Sequence, residues 1–387
     1  MAHYKLRPPV VAPERDRSFW LQDIGAGAIT PPLRGAQTAD VAIIGGGYAG
    51  LWTALRLREA APDLRITVLE ADFCGSGASG RNGGQVHSWF AEIDLLTRIV
   101  GASEALALCH ATAEAIDELE ALQNSGQIDM DLRLNGWLWT ASATAQEGAW
   151  TPALTQCTAE GVDCFRAMSA EDIRRRTGSG VSYTGIVEDR AGTVQPAKLA
   201  LGLRALALAR GVVIHEATPV TEIVAGVTGH SLTTQQGTLR ADKVVLTANA
   251  WASALPELRR HMFVVDSHVI ATAPAKAALD ALGWTDGASI CDSQAHVLYY
   301  QRTATDRVVF GRGTGHVAFQ GRFGASFNRS ATNGIYNIRE LHRVYPELRD
   351  VGIEYEWSGP IDCMAQHLPV FGSLSDAPGI FFGCGFN

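Results

Sequence analysis

The apolar residues first form a short unbroken run at positions 41–44, Val-Ala-Ile-Ile. A run this short predicts a strand that is buried on both faces, as in a parallel sheet. Leucines then recur at helical spacing over residues 49–60, and Pro62 ends that pattern. A second strand is predicted at 66–70. The order strand, glycine turn, helix and strand is typical of the start of an α/β domain.

Three later segments carry helix signals. Residues 102–124 form a long alanine-rich stretch that predicts a helix packed closely on a sheet. Residues 169–172, Ser-Ala-Glu-Asp, resemble a capping sequence and predict a short helix after them. Residues 195–197, Gln-Pro-Ala, place proline at the first position of another helix, which Gly211 closes.

Strand patterns dominate the second half of the chain. Residues 212–215 and 243–247 are short apolar runs, and residues 262–272 and 297–311 alternate with a period of two. The chain is therefore α/β at first, mixed in the middle and rich in strands later. We predict an α/β fold in which a Rossmann-like domain is joined to an α+β domain with a mixed or antiparallel sheet.

Composition narrows the class of protein. The 387 residues carry a net charge of -8, 47% of them are hydrophobic, and the pI is near 5.8. This balance argues against a nucleic-acid or anionic-membrane surface, although it leaves room for a local basic pocket. No stretch is apolar enough to cross a bilayer, and the first residues lack the apolar core of a secretory signal. We therefore expect a cytoplasmic protein.

The cysteines and histidines do not predict a metal site. Seven cysteines lie scattered along the chain, without a Cys-x-x-Cys pair, and the histidines are equally dispersed. An odd number of scattered cysteines fits reduced thiols better than disulfides or zinc ligands. Residues 1–37, rich in Pro and Gly, predict an arm that packs onto the body, with Trp20 as its buried anchor.

A dinucleotide signature lies between the first two predicted strands. Gly45-x-Gly47-x-x-Gly50 follows a strand and opens a helix. The three glycines permit a tight turn, a close approach of backbone to pyrophosphate, and close packing of helix on strand. Glu70 ends the next strand, where a carboxylate can accept both ribose hydroxyls. An acidic residue there also disfavours a 2′-phosphate and hence NADP.

The segment after that strand favours FAD over NAD. Residues 75–85, Gly-Ser-Gly-Ala-Ser-Gly-Arg-Asn-Gly-Gly-Gln, form a second glycine-dense loop without acidic residues. Such a backbone can lie flat against a ligand, and Arg81 and Asn82 can donate hydrogen bonds to phosphate or ring oxygens. The alternative interpretation is a flexible surface loop.

These segments resemble the D-amino-acid oxidase superfamily of FAD enzymes. The resemblance spans residues 38–387 and continues at 195–199, 244–251 and 368–372. It is closest to γ-glutamylputrescine oxidase and putative aminophosphonate oxidoreductase-like members. It implies an FAD-binding domain at 38–126, 189–256 and 357–387, and a substrate domain at 127–188 and 257–356.

We expect the two glycine segments and Glu70 to contact the cofactor. By resemblance to the family, Val220 matches a residue whose backbone contacts adenine, and Thr247 and Ala248 match a turn that passes close to the pyrophosphate. These residues are Gly45, Gly47, Tyr48, Ala49, Gly50, Glu70, Ala78, Ser79, Arg81, Asn82, Gly83, Gly84, Gln85, Val220, Thr247 and Ala248.

Two departures from the family pattern carry expectations. Sarcosine oxidases attach flavin through a cysteine before a Thr-Pro-Asp run, and Cys363 here is out of register with it, so we expect non-covalent FAD. The chain also ends at Asn387, where the family continues into a Gly-His-Gly-like turn and a final helix. We therefore expect that this sequence is a fragment or that it holds its flavin less completely.

The resemblance implies oxidation of a primary or secondary amine, with hydride transfer to flavin N5, hydrolysis of the imine, and oxygen or a quinone as electron acceptor. It identifies no acid–base residue. For substrate contacts we select His87, Tyr299, Arg302 and Arg312, because an arginine among tyrosines can fork a carboxylate or phosphonate. Each arginine can also be an ordinary surface charge. A NAD-dependent dehydrogenase and a flavin-binding protein without catalysis are the alternatives.

Overall fold

Two large β-sheets organise the chain in the computed structural model, which describes residues 2–7, 9, 17–25, 27–313, 315–319 and 322–386. The strands are β1 (His3–Lys5), β2 (Gly35–Ile44), β3 (Ile66–Leu69), β4 (Gln85–Val86), β5 (Trp137–Ala141), β6 (Phe165–Ser169), β7 (Thr184–Glu188), β8 (Gly192–Thr193), β9 (Val213–His215), β10 (Glu222–Gly226), β11 (Gly229–Thr233), β12 (Gly237–Leu246), β13 (Met262–Thr272), β14 (Ser289–Asp292), β15 (Leu298–Arg302), β16 (Val308–Arg312), β17 (Ile353–Met364), β18 (Val370–Ser373) and β19 (Ile380–Cys384).

The helices lie mainly between these strands. They are α1 (Phe19–Ile24), α2 (Tyr48–Ala60), α3 (Ile93–Val100), α4 (Ala102–Asn124), α5 (Thr151–Ala159), α6 (Ala170–Thr177), α7 (Pro196–Ala209), α8 (Pro256–Arg259), α9 (Lys276–Ala281) and α10 (Ala331–Val344). In the described part of the chain, no helix is both long enough and apolar enough to pass through a lipid bilayer.

The first sheet has nine strands in the order β1-β10-β11-β12-β2-β3-β9, and β19 pairs with β12 and β18. Its centre is parallel, since β2 pairs with both β3 and β12 in that direction. Residues 41–44 are buried on both faces, as their apolar run predicts. Ala42 and Ile44 pack in one core, while Val41 and Ile43 pack in a second core with α2 and α7.

The second sheet has eight strands in the order β17-β13-β16-β15-β14-β5-β7-β6. Its strands are mostly antiparallel, although β14 and β5 are parallel. Together the two sheets confirm the predicted combination of a parallel α/β unit and a mixed, largely antiparallel one.

The helix signals are confirmed at each predicted start. Helix α4 spans residues 102–124 as predicted. Helix α6 opens with a capping box, in which Ser169 and Asp172 bond each other's backbone N–H. Helix α7 is capped by Gln195, whose side chain accepts from the N–H of Lys198.

Two strand predictions need correction. The strand predicted at 243–247 is the end of the longer β12, because residues from Gly237 onward pair with β11 and β2. The alternating stretch 297–311 is a hairpin of β15 and β16, and not one strand. The chain reverses at Asp306, which adopts a positive φ of 58°, and the N–H of Thr303 bonds the carbonyl of Arg307.

Strand pairing also bears on the expected domain limits. The boundary at residue 357 falls inside β17, which pairs with β13 as far as Met364. The arm 1–37 contributes β1 and the start of β2 to the first sheet. Trp20 is buried, and its indole N–H donates to the carbonyl of Asn82 at 2.8 Å, which anchors α1 on the glycine-rich loop 75–85.

Candidate cofactor and substrate site

The turn after β2 has no room for side chains. Gly45 has a φ of 110°, and a Cβ atom there would overlap the carbonyl oxygen of Thr247. A Cβ atom on Gly50 would overlap the carbonyl of Gly45. Both clashes involve backbone, which cannot move aside cheaply. The turn therefore requires glycine at both positions.

The N-terminus of α2 lies directly on this turn. Gly47 caps the helix in an extended conformation and offers no side-chain cap. The N–H of Tyr48 donates to the hydroxyl of Ser79 at 2.8 Å, which brings the loop 75–85 alongside. The following amides, beginning with that of Ala49, lack intrahelical partners, as at every helix start. Backbone N–H groups and the positive end of the helix dipole suit a pyrophosphate.

Glu70 lies beside the turn, as predicted. One carboxylate oxygen accepts from the N–H of Gly46 at 2.6 Å, and the other accepts from that of Asp72 at 2.9 Å. Burial raises the pKa of Glu70 to about 7. A carboxylate has about four lone-pair sites, so two ribose hydroxyls can still bond to it and favour its ionised form.

Thr247, Ala248 and Val220, which match the family outside the glycine segments, lie at the same edge of the first sheet as the glycine turn. Thr247 follows β12, and its N–H and hydroxyl both donate to the carbonyl of Ile44, at 2.9 and 3.0 Å. Ala248 comes next and is half-buried. Val220 is buried in the segment before β10, two residues after Thr218, whose N–H donates to the carbonyl of Glu70 at 2.7 Å. The residues present therefore fit an extended dinucleotide.

In loop 75–85, the side chains of Arg81 and Asn82 bond to backbone groups of the protein itself. The Arg81 guanidinium is buried and donates to the carbonyls of Ser76 and Ser358, both at 2.9 Å. The Asn82 amide donates back to Ala78 and accepts from the N–H of Gly84 at 2.8 Å. We predicted that Arg81 and Asn82 donate to the cofactor. Both side chains donate instead to backbone carbonyls of the protein, because buried carbonyls need donors.

The end of the loop lies against the second sheet. The carbonyl of Gly83 accepts from the Gln301 amide at 2.6 Å, and a Cβ atom on Gly83 would lie 2.7 Å from the Tyr299 ring. The Gln85 amide donates to the carbonyl of Ile290 at 3.2 Å. These contacts exclude a flexible surface loop and place its backbone against the second sheet.

His87 lies on the same side of the second sheet. Its ring stacks on Trp137 with 4.6 Å between ring centroids, and its Nδ1 is 3.0 Å from the carbonyl of Ser88. Burial lowers the pKa of His87 below its usual value, so the neutral ring is favoured.

Glu188 is a buried carboxylate that the sequence analysis did not select. It is 3% exposed, and its oxygen accepts from the N–H of Ser88 at 3.2 Å, directly after His87. Burial raises the pKa of Glu188. A lone carboxylate at the end of a strand carries no motif, and only the pairing of β7 with β5 brings it opposite Trp137.

The side-chain alternation of β15 separates two predicted substrate residues. Tyr299 faces loop 75–85, and its hydroxyl lies 2.7 Å from that of Ser267. Arg302 points to the other face, where Asp280 and Asp306 each accept from its guanidinium at 3.0 Å, and the carbonyl of Trp284 accepts a further bond. This geometry contradicts the predicted role of Arg302 as an anion anchor, because its donors are already bonded.

Arg312 also faces away from the loop. It lies opposite His268 of β13, and its guanidinium packs over the Tyr336 ring of α10, 5.8 Å from the ring centroid. Its neighbour Gly311 faces the loop and lies against Tyr299. The predicted substrate role of Arg312 is therefore contradicted by the pairing of β13 with β16, which turns its side chain to the far face.

All seven cysteines are free in the structure. Cys363 is buried in β17, opposite Phe263 of β13. Among the residues described, no group of three or more His, Cys, Asp or Glu side chains could hold a metal ion.

Comparison with known proteins gives one family and several relatives. The family model described as DAO, FAD dependent oxidoreductase, matches residues 40–387. A probable oxidoreductase, OrdL, of Haemophilus influenzae is 28% identical over 97% of this chain and 84% of its own length. The gamma-glutamylputrescine oxidoreductase of Escherichia coli is 29% identical over 93% of this chain and 82% of its own length.

Solved structures show the same fold. Glycine oxidase from Geobacillus kaustophilus superposes with a TM-score of 0.71 at 22% identity, covering 90% of this chain and 89% of its own. L-proline dehydrogenase from P. horikoshii superposes with a TM-score of 0.70 at 15% identity, covering 91% and 88%.

Replacing Gly45 with alanine should abolish stoichiometric FAD binding, because the new Cβ overlaps backbone and the positive φ is unfavourable. The matched control is Gly180→Ala, outside both glycine segments, where a Cβ atom would meet nothing within 4 Å. We expect at least about a ten-fold loss of affinity for Gly45→Ala, which corresponds to about 1.4 kcal/mol. The measurement is flavin content per folded protein. Equal flavin in both variants would place the cofactor elsewhere.

The position of Cys363 generates a second prediction. Denaturing and precipitating the yellow protein should leave all of the flavin in the supernatant, because no covalent link is expected. The absorbance of the pellet and of the supernatant measures this directly. Flavin that stays with the pellet of the wild type but not of Cys363→Ser would refute non-covalent binding.

Proposed function

This chain belongs to the DAO family of FAD-dependent oxidoreductases, and we propose that it oxidises a primary or secondary amine. When bound, FAD supplies the hydride acceptor. Loss of a hydride from the carbon next to nitrogen leaves an iminium ion, which releases a proton to give the imine. Water hydrolyses this product to a carbonyl compound and ammonia or a smaller amine. Relatives named for glycine and for γ-glutamylputrescine support an amine substrate.

The observation that carries this proposal is a set of aromatic rings opposite loop 75–85. We call His87, Trp137, Trp139 and Tyr299 the aromatic wall. His87 stacks on Trp137, which lies 5.5 Å from Trp139 between ring centroids. Tyr299 packs in the same cluster and against Gly83 of the loop. A substrate between the loop and the aromatic wall would be enclosed by backbone on one side and by rings on the other.

The aromatic wall favours the reactive form of an amine. Only the neutral amine has the lone pair that supports loss of a hydride. Apolar surroundings disfavour the ammonium form, as they disfavour the charged form of His87 itself. Glu188 holds the backbone of Ser88 and thereby acts as a positioning residue for His87.

The charges of the aromatic wall favour a particular class of amine. None of its four members is cationic, and Arg302 and Arg312 face the other side of the sheet. A substrate with a carboxylate next to the reacting carbon would need a cationic partner there. We therefore favour an amine whose reacting end is an alkyl chain, as in a γ-glutamyl-polyamine, over an α-amino acid or an aminophosphonate.

An anaerobic screen tests the proposed function. FAD-loaded protein is mixed without oxygen with γ-glutamylputrescine, putrescine, glycine, sarcosine and an aminophosphonate, and the absorbance of oxidised flavin is followed. We expect the fastest bleaching with γ-glutamylputrescine. Readmitting oxygen, or adding a quinone, then identifies the acceptor. If no amine bleaches the flavin, the protein binds FAD without acting as an amine oxidoreductase.

Adjacent tyrosines provide a matched test of the aromatic wall. Tyr299→Phe removes the hydroxyl that bonds Ser267, and loss of one hydrogen bond of about 1 kcal/mol should lower kcat/KM about five-fold. Tyr300 faces the opposite core, where it stacks on Phe310. Tyr300→Phe should therefore leave kcat/KM unchanged. Equal kinetics for both variants would exclude Tyr299 from the substrate site.

A further inference from the structure

A cleft of about 1150 Å³ lies away from the aromatic wall. Val264 of β13 and Pro360 of β17 line it. Ser267 and Gly359, at odd positions of the same two strands, face the other way, towards Tyr299 and Arg81. Because side chains alternate across a sheet, the middle of the β13–β17 pair separates the cleft from the proposed amine site. Met262 and Phe263 both line the cleft at the point where β13 begins.

The rim of the cleft is positively charged. Four exposed cationic side chains line it: Lys5, Arg7, Arg259 and Arg322. None of the described lining residues is acidic, and none of the four cations forms an ion pair within the described part of the chain. The protein as a whole has a net charge of -8, so this concentration of unpaired cations is a local feature.

The floor of the cleft is apolar and aromatic. Trp251 and Phe323 meet edge to face with 5.4 Å between ring centroids, and Phe323 lies 5.7 Å from Phe327. Phe327 and Val264 are buried in one cluster beneath them. An apolar floor of this kind can bury the hydrocarbon part of a ligand.

The outer wall of the cleft is attached to the second sheet. Asp266 is fully buried, and its carboxylate accepts from the Nδ1 of His316 at 2.9 Å. Two residues further on, the N–H of Ala318 donates to the carbonyl of Val264 at 2.7 Å. These bonds fix residues 316–318 against β13, and the N–H of Arg322 donates to the carbonyl of Phe319 at 3.0 Å. The cleft is therefore a built feature of the fold.

We propose that this cleft binds an amphipathic anion, with an apolar body on the aromatic floor and a negatively charged head at the cationic rim. A small inorganic anion would leave the floor unused, and a neutral hydrocarbon would leave the rim unused. A cationic amine would be repelled by four like charges. The ligand of the cleft is thus chemically distinct from the proposed substrate.

Such an anion can be a free fatty-acid-like molecule or a lipid within a bilayer. Val317 and Phe319 lie on the segment that forms the outer wall and are 67% and 75% exposed. Exposed apolar side chains next to cations suit insertion at an anionic membrane surface. Both sources share the same ligand chemistry, and the experiment separates them.

The test uses FAD-loaded protein and decanoate below its micellar concentration, with binding measured by calorimetry. The variant Arg259→Gln/Arg322→Gln should bind decanoate about five-fold or more weakly, since each exposed charge pair contributes up to about 1 kcal/mol. The matched control is Arg174→Gln/Arg349→Gln, which removes the same charge from exposed arginines outside the cleft. This control should bind decanoate as the wild type does. Added salt should weaken the binding of decanoate to the wild type and to the control alike.

Three further probes complete the test. Decanol and inorganic phosphate should each bind much more weakly than decanoate, because each engages only half of the cleft. Phosphatidylglycerol vesicles, compared with phosphatidylcholine vesicles, test the bilayer source in a sedimentation assay. The proposal is supported if decanoate or phosphatidylglycerol vesicles bind the wild type and the control equally but bind the variant Arg259→Gln/Arg322→Gln more weakly. No saturable binding, equal loss in the control, or phosphate binding as tightly as decanoate overturns it, whatever the amine screen shows.

Discussion

The backbone contact between the turn at Gly45 and the segment after β12 is the constraint on which the cofactor site depends. Gly45 lies against Thr247, and Gly50 lies against Gly45, so three segments meet without an intervening side chain. This closeness lets α2 begin directly at the end of β2, with its N-terminal amides at the edge of the sheet. The carboxylate of Glu70 and the buried Val220 extend the same edge, and we propose that they lie beside the ribose and the adenine of a dinucleotide.

Loop 75–85 connects the glycine turn of the first sheet to the second sheet through hydrogen bonds. Indole N–H groups of Trp20 and Trp357 donate to the carbonyls of Asn82 and Arg81, at 2.8 and 2.7 Å. The Arg81 guanidinium donates in turn to Ser358, beside Trp357 on β17. Because these carbonyls are buried, each needs such a donor, and the loop is held from both sides. Its position relative to the aromatic wall is thereby fixed by polar contacts as well as by packing.

Local signals in the sequence predicted the parallel strands β2, β3, β9 and β12 and the glycine turn, because spacing, capping and strand burial can be recognised within about thirty residues. The strands β1, β10 and β11 of the same sheet were not predicted. The substrate side was predicted poorly. Arg302 and Tyr299 are three residues apart on one strand and therefore face opposite ways, but which of them meets loop 75–85 depends on pairing with distant strands. Glu188 and the basic cleft depend on pairing between segments far apart in the chain, and no local pattern contains that information.

The two faces of the second sheet at β13 and β17 differ in their electrostatic environment. On the inner face, the aromatic wall is uncharged and His87 is held neutral, which suits an amine that must lose its proton before it reacts. On the other face, four exposed cations surround an apolar floor. Like charges repel a cationic amine from the second environment, and the four rings of the aromatic wall offer an anionic head group no cation. The sheet therefore keeps the proposed substrate and the proposed ligand apart by charge as well as by position.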